Sequence, residues 1–563
     1  MNGVVRIRRI TAVVIIPLFI FTVYAGRLFW LQGIRGDYYA ALKAERIEAS
    51  VSIPAARGDI LDRNGVRLSG DRVAIRVTAN GISREQAVAL LTPLGETVAA
   101  RGDVLCEDVS EKTAAILHEN PSAYAGLKTA LVPIRTYEAG DVASHLLGTV
   151  GPVYAEEYET LKAKGYHLTD RVGKSGIEAA FEDELRGEDG VRITYEDGSV
   201  YSRAAVAGSS VELTLDSTLQ RTAQAAITDT MEALKKNTEP LSGQDVKSGS
   251  VVLLDVQNGG VLVCASCPTY DLSTYSEQYT ALANDERQPL FNRALYGTYP
   301  CGSVIKPAVA IAGLSENLTA ECTCDGVYRY YEAVGFAPKC MGRHGVVDTV
   351  TALQKSCNVY FMELGRLLGI DTLNRYAAAF GLGQKSGIEV GEARGVLASP
   401  ATKNGAWVAG DTCQCAIGQM DERFTPIQLA SYAMTLANGG VRYRTHLVQR
   451  LLRHDGTAYR VYEPEILSTV SMSEDARDTV RRGMEQVVKK GGTAYTAFKD
   501  VPYTLAAKTG TAQNGSTRSD HGVFIAYAPA DDPQVALAVV MENGTSAAAS
   551  AVARRVLDAY FGE

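Results

Sequence analysis

Three things are missing from this 563-residue chain: a paired Cys-x-x-Cys…Cys-x-x-Cys pattern, an internal repeat, and any broad excess of basic charge. The first absence excludes a zinc-ribbon fold, and ten cysteines are too few for a disulfide-built scaffold of this length. With 56 Lys+Arg against 64 Asp+Glu the formal net charge is −8, so no basic field is offered to a phosphate backbone and no nucleic-acid partner is expected. What is present is a globular composition, 46% hydrophobic and 21% charged, in a chain too long for one ordinary domain.

One long apolar run follows Arg6, Arg8 and Arg9. It extends from Ile10 to Leu31, is interrupted by Pro17, Gly26 and Arg27, and carries Phe29 and Trp30 near its end. At the usual helical rise it makes roughly 33 Å, enough to cross a bilayer core. Basic residues ahead of it place the N-terminus in the cytoplasm, and Arg27 snorkels beside the interfacial aromatics. The expectation is a cytoplasmic tail at 1–9, a single-pass transmembrane helix at 10–31, and everything beyond on the outer side of the cell membrane. A cleaved signal peptide ending near Val23-Tyr24-Ala25 is the competing reading, and it exports the rest equally.

Past the anchor, Ala49 to Ile53 alternates like a strand, and the segment Arg57-Gly58-Asp59-Ile60-Leu61-Asp62-Arg63-Asn64-Gly65 ends in a hairpin-type Asn-Gly turn. Helices are predicted over Arg84 to Leu91, Glu111 to Asn120 and Gly176 to Leu185, and Asp216 is placed to cap a helix that runs to about Lys236. After a polar stretch at 237–249, Ser250 to Val256, an Asn258-Gly259-Gly260 turn and Val261 to Ala265 predict a β-hairpin that opens a new domain. Two alternating runs, Val523 to Ala528 and Val535 to Met541, follow another from Tyr503, and Ala547 to Tyr560 reads as a helix. Strands at both ends of a region with helices between them predict an α+β domain whose central antiparallel sheet is flanked by helices.

A serine nucleophile needs a base within hydrogen-bond reach, and on a helix the residue three positions on shares its face. Ser303-Val304-Ile305-Lys306 is the chain's one Ser-x-x-Lys, although a match of this kind is expected about once or twice by chance in such a length. A Ser-x-Asn triplet, which supplies a relaying hydroxyl and an amide, occurs at Ser315-Glu316-Asn317 and at Ser356-Cys357-Asn358. The first falls at the end of the helix that Ser303 opens, so the second is preferred. Lys-(Ser/Thr)-Gly occurs at Lys174, Lys247, Lys385 and Lys508. The first two precede Ser303, Lys385 follows a Gly-Leu-Gly turn, and only Lys508-Thr509-Gly510-Thr511 extends an alternating run that lines a sheet edge.

In that order, Ser303-x-x-Lys306, Ser356-x-Asn358 and Lys508-Thr509-Gly510 resemble the penicillin-binding protein and serine β-lactamase superfamily. The upstream Arg57-Gly58…Asp62-Arg63-Asn64-Gly65, His145-Leu146-Leu147-Gly148, Gly173-x-x-Gly176-x-Glu178 and Leu185-Arg186-Gly187 narrow the resemblance to the class B penicillin-binding proteins. So do Asn292-Arg293-Ala294, Gly418-Gln419, Thr425-Pro426-x-Gln428 and Gly492-Thr493-Ala494, and the likeness covers essentially the whole chain. Three departures are visible. Cys301 stands where a second proline is common, Val304-Ile305 where Thr-Phe is common, and Val523-Phe524-Ile525-Ala526 where a tryptophan and a glycine are usual. None removes a reacting group.

The resemblance implies an elongated mixed α/β pedestal of the penicillin-binding protein dimerisation type over 32–247 and a transpeptidase domain over 248–563. It implies a peptidoglycan D,D-transpeptidase in which Ser303 attacks a D-Ala-D-Ala donor, Lys306 is the base, and Ser356 and Lys508 relay a proton. Asn358 holds the donor amide, and Thr509, Gly510 and Thr511 form the carboxylate and oxyanion side of the site. Implied partners are stem peptides, covalently inhibiting β-lactams, the membrane, and a glycan polymerase of the shape, elongation, division and sporulation type. A catalytically silent penicillin-binding scaffold or sensor, and a serine β-lactamase, are the alternatives.

No cofactor or metal is assigned. The spacing of Cys322, Cys324, Cys340 and His344 is compatible with zinc, with a disulfide or with free thiols, and a Cys340–Cys357 bond would distort the Ser-x-Asn motif. His145 and Trp407 read as core or turn residues, and Arg57 and Asp62 as pairing within the pedestal.

Overall fold

The computed structural model of the chain describes residues 17–36, 47–99, 102–138, 140–168, 170–195, 199–515 and 517–562. Residues 17–29 are helical and continue as a π-helical turn over Trp30–Ile34, with Leu18, Phe19, Phe21 and Phe29 exposed and the Arg27 guanidinium 4.5 Å from the Trp30 ring centre. Among the described residues no helix is long and apolar enough to cross a membrane. The opening of the predicted span, residues 10–16, lies outside them.

The chain divides into two compact units that interleave in sequence: the smaller takes 1–56, 73–133 and 187–207, the larger 57–72, 134–186 and 208–563. In the smaller, Ile47–Ile53 pairs antiparallel with Gly190–Tyr195, which pairs in turn with Val200–Arg203. Its helices Arg84–Leu91 and Glu111–Glu119 start at N-caps Ser83 and Ser110 and bury Ala87, Leu91, Ala114 and Leu117 with Val77 and Leu105.

The larger unit is built on a five-stranded antiparallel sheet. Its strands are β1 (Ser248–Asp255), β2 (Val261–Cys267), β3 (Ala506–Ala512), β4 (His521–Ala528) and β5 (Val535–Glu542), in the order β2-β1-β5-β4-β3. The hairpin β1–β2 is the one predicted, and β3, from distant sequence, ends the sheet as an edge. Alternation on these strands serves two cores. Val251, Leu253, Phe524, Leu537 and Val539 face helices α1 (Ser217–Lys235) and α5 (Ser546–Phe561), while Val252, Leu254, Ile525, Ala538 and Val540 face the other core. The second core holds α2 (Lys306–Ser315), α3 (Asn358–Ala379) and α4 (Pro426–Ala437). Asp216 caps α1 through Oδ1, which accepts the N–H groups of Thr218 and Leu219.

The helix predicted over Gly176 to Leu185 is two short helices, Gly176–Ala180 and Glu182–Leu185, parted at Phe181. Across that break Glu178 and Glu182 both reach Arg57, at 2.8 and 2.7 Å. Arg135 joins Glu178 at 2.6 Å and Asp71 at 3.2 Å, and the Glu178 side chain is fully buried. Burial opposes the charge on Arg57, but its two carboxylates outweigh it and hold the guanidinium above its ordinary range. Arg57 thus pairs as expected of a structural residue, whereas Asp62 accepts from Asn64, Val66 and Ser217 and so ties the Asn-Gly turn to the start of α1. Stripping one partner from a buried ionic network leaves the others uncompensated, so Glu178→Ala is expected to destabilise the larger unit by about 3–5 kcal/mol, read as a lower denaturant midpoint.

Candidate active site

Ser303 lies in a 3₁₀ turn, Gly302–Ile305, that runs straight into α2, so Ser303 and Lys306 are three residues apart on one helical face. The turn is pressed against β3. Gly302 has φ +55°, and a Cβ there would come within 2.6 Å of the Thr511 carbonyl oxygen; a Cβ on Gly510 would come within 2.7 Å of that of Cys301. Glycine at both positions is what lets the nucleophile turn and the edge strand approach so closely.

Ser356-Cys357-Asn358 occupies the junction between a short helix, Thr349–Gln354, and α3. Ser356 takes φ +53°, a left-handed conformation unusual for a residue with a side chain and held here by what surrounds it. Lys306 is fully buried, and its Nζ donates to the Ser356 carbonyl at 2.8 Å, to Ser356 Oγ at 3.2 Å and to Asn358 Oδ1 at 2.7 Å. Lys508, also fully buried, donates from Nζ to the same Ser356 Oγ at 2.9 Å and to the Thr509 carbonyl at 2.9 Å. Among the described residues Ser303 Oγ has no hydrogen-bond partner and is half-buried.

All three motifs chosen in the sequence therefore meet at one hydroxyl. Burial pushes Lys306 down to about 7; burial and then the charge of Lys306 push Lys508 well below the lysine range. The lowering of Lys306 comes from burial, which the Cys340 and Cys357 thiols oppose. The rejected motifs lie elsewhere. Ser315 ends α2, and Ser386 is buried as the acceptor of the Thr445 hydroxyl at 2.6 Å. Two further residues border the site: Thr493 Oγ1 is 2.7 Å from Thr509 Oγ1, and Gln419 Nε2 donates to the Thr511 carbonyl at 3.4 Å. Their segments, Gly492-Thr493-Ala494 and Gly418-Gln419, are among those that the resemblance places around the active site, and both border it. His145 Nε2 lies 2.7 Å from the Pro289 carbonyl and Trp407 Nε1 donates to Thr412, both as structural residues.

The cysteine reading needs correction. The group that assembles is Cys324, Cys340, His344 and Cys357, whose donor atoms all lie within 4.8 Å of one another, and Cys322 is not in it. Cys324 Sγ and Cys340 Sγ are each 3.5 Å from His344 Nδ1, and no disulfide joins any of the ten cysteines. Within the pair formed with Cys357, Cys340 is the more acidic thiol, lowered by the Cys357 hydrogen bond and by backbone N–H groups. Three thiols and an imidazole at this spacing fit a closed tetrahedral Zn²⁺ site, one of the alternatives that the sequence leaves open. Cys357, inside Ser-x-Asn and distant in sequence from the other three, stands where the local Cys-x-Cys spacing offers Cys322. Such an ion would tie the 324–344 segment to the start of α3 and supply no reacting group. The purified chain is expected to carry about one zinc by elemental mass spectrometry, lost together with thermal stability in His344→Ala.

The description "Penicillin binding protein transpeptidase domain" matches residues 249–561, and "Penicillin-binding Protein dimerisation domain" matches 52–213. The peptidoglycan D,D-transpeptidase MrdA of Haemophilus influenzae is 33% identical over 477 residues, covering 76% of this chain and 69% of that one. Its namesake in Acinetobacter baumannii is 28% identical, covering 95% and 85%. Among solved structures, Pseudomonas aeruginosa PBP2 in complex with WCK 5153 superposes with a TM-score of 0.70 at 29% identity, covering 92% of this chain and 97% of that one. A chain from a structure described as the coordination of polymerization and crosslinking by a peptidoglycan synthase complex gives 0.75 at 28% identity, covering 98% of each. With two buried lysines converging on Ser356 beside Ser303, and the transpeptidase description matched over more than half of its length, the chain belongs to the class B penicillin-binding proteins.

Proposed function

We propose that the chain is a peptidoglycan D,D-transpeptidase that crosslinks stem peptides through an acyl-enzyme on Ser303. The observation that carries this reading is the convergence of Lys306 and Lys508 on Ser356 Oγ. Burial disfavours the charge on both ammonium groups, and the charge of Lys306 adds to that at Lys508, so a neutral amine is accessible near neutral pH. Neutral Lys306 takes the Ser303 proton as the oxygen attacks the carbonyl between the two terminal D-alanines. The backbone N–H groups of Ser303 and Thr511 receive the developing oxyanion, a donor of this kind contributing on the order of 3 kcal/mol. Ser356, whose hydroxyl accepts from both lysines, relays the proton that Lys306 took to the departing D-alanine nitrogen, with Lys508 holding that hydroxyl in place. Asn358 holds the donor amide, and Thr509 with Thr511 takes its terminal carboxylate. The amino group of a second stem peptide then attacks the ester and restores Ser303. A β-lactam acylates the same oxygen but stays tethered where the acceptor must enter.

No carboxylate is among the hydrogen-bond partners of either lysine in the described residues. In the same reading the apolar N-terminal segment anchors the chain in the cell membrane with the catalytic unit outside. A membrane glycan polymerase of the shape, elongation, division and sporulation type supplies the strands. Support for that partner is the likeness to a chain of a peptidoglycan synthase complex.

Incubation of the full chain with a fluorescent penicillin is expected to label Ser303, located by peptide mass mapping, and Ser303→Ala is expected to lose labelling and D-alanine release by at least about a thousandfold. The base must be unprotonated, so the acylation rate is expected to rise with pH between about 6 and 8, following Lys306. A rate that is flat there, or falls, removes Lys306 as the base.

A further inference from the structure

The chain is acidic overall, yet the segments beside the catalytic lysines contain no acid. Pro338 to His344, Gln354 to Asn358 and Val487 to Ala494 carry Lys339, Arg343, Lys355, Lys489 and Lys490 and not one Asp or Glu. Hydrogen bonds tie all three to the site. Asn358 Nδ2 donates to the Lys339 carbonyl at 3.4 Å, Lys355 Nζ to that of Gly491 at 2.8 Å, and Gln354 Nε2 to that of Lys490 at 3.4 Å. Thr493 touches Thr509. Lys339, Arg343, Lys489 and Lys490 are exposed, and among the described residues none of these four side chains makes an ion pair.

The flanking acids are already engaged. Asp325 and Glu332 hold Arg329 at 3.2 and 2.8 Å, Glu485 holds Arg481 at 2.8 Å, and Asp348 caps Thr349–Gln354. On the Gln419 side, exposed Asp421 and Arg423 contribute one charge of each sign. We propose that Lys339, Arg343, Lys489 and Lys490 form a cationic collar at the mouth of the site, one that recognises side-chain carboxylates of the stem peptide. This rests on the transpeptidase reading for the identity of the peptide. In a protein of net negative charge, a local positive rim around a cleft draws in an anionic ligand that the rest of the surface repels, and salt weakens the effect. The collar governs capture of the substrate, whereas the chemistry stays with Lys306 and Lys508.

The test is fluorescence anisotropy of a labelled stem pentapeptide with free side-chain carboxylates, and of its carboxamide analogue, against the full chain in detergent. It compares wild type with two variants, Lys339→Ala/Arg343→Ala and Lys489→Ala/Lys490→Ala. Labelling at saturating fluorescent penicillin gives the folded fraction of each. The acidic peptide is expected to bind more tightly than the carboxamide at low salt, and each variant to weaken it by roughly three- to tenfold while leaving the carboxamide unchanged. Equal affinity for both peptides in wild type, or an unchanged Kd in both variants, overturns the collar. Stronger collar-dependent binding of a polyglycerol phosphate than of the peptide overturns the assignment to stem peptides. An acidic peptide that binds through the collar but releases no D-alanine overturns the transpeptidase reading and leaves the collar standing.

Discussion

Two lysines share one hydroxyl inside the protein, and that arrangement constrains everything around it. Nζ of Lys306 and Nζ of Lys508 both donate to Ser356 Oγ, and both side chains are fully buried. Away from water burial weakens the hold of both lysines on a proton, and at Lys508 the charge of Lys306 weakens it further. The consequence is an amine, Lys306, that gives up its proton near neutrality. It requires the edge strand β3 and the first residue of α2 to be held within hydrogen-bonding distance of one atom in the turn that precedes α3.

Much of this was legible in the sequence because the chemistry is carried by residue types in a fixed chain order. The triplet at Ser315 was dismissed because the helix opened by Ser303 runs through it, and α2 does end there. Lys508 was preferred over Lys385 because alternation placed it on a strand, and β3 carries it at a sheet edge. What the sequence did not yield depends on distant segments meeting. Cys357 was noticed for its position in Ser-x-Asn, and only the path of residues 324–344 brings it to Cys324, Cys340 and His344. Thr493 reaches Thr509 across sixteen positions, a contact that local periodicity does not encode. The Gly176 to Leu185 segment had the right composition for one helix, but a break at Phe181 interrupts it where Glu178 and Glu182 turn to Arg57.

The Arg57 network shows how a turn motif far from the site acquires a structural role. Arg57 and Glu178 are 121 positions apart, and their pairing, with Arg135 and Asp71, fastens residues 57–72 to 134–186 within the larger unit. Asp62 adds a second fastening at Ser217, the first residue of α1. The Arg-Gly-Asp-Ile-Leu-Asp-Arg-Asn-Gly segment thus contributes through its carboxylates and guanidinium rather than through contact with the reacting groups.

β3 closes the sheet on one side only, pairing with β4 along one edge and, among the described residues, leaving its other edge without a partner strand. Backbone N–H and C=O groups on such an edge are the same whatever side chains are present. Selection that disfavours an inhibitor cannot erase them by substitution. It can only displace the strand, and the same strand carries Lys508, so escape at this surface is mechanically coupled to loss of the Lys508–Ser356 hydrogen bond. Variation compatible with function is therefore channelled to side chains that flank the strand, such as Thr493 and Gln419, and away from the strand itself.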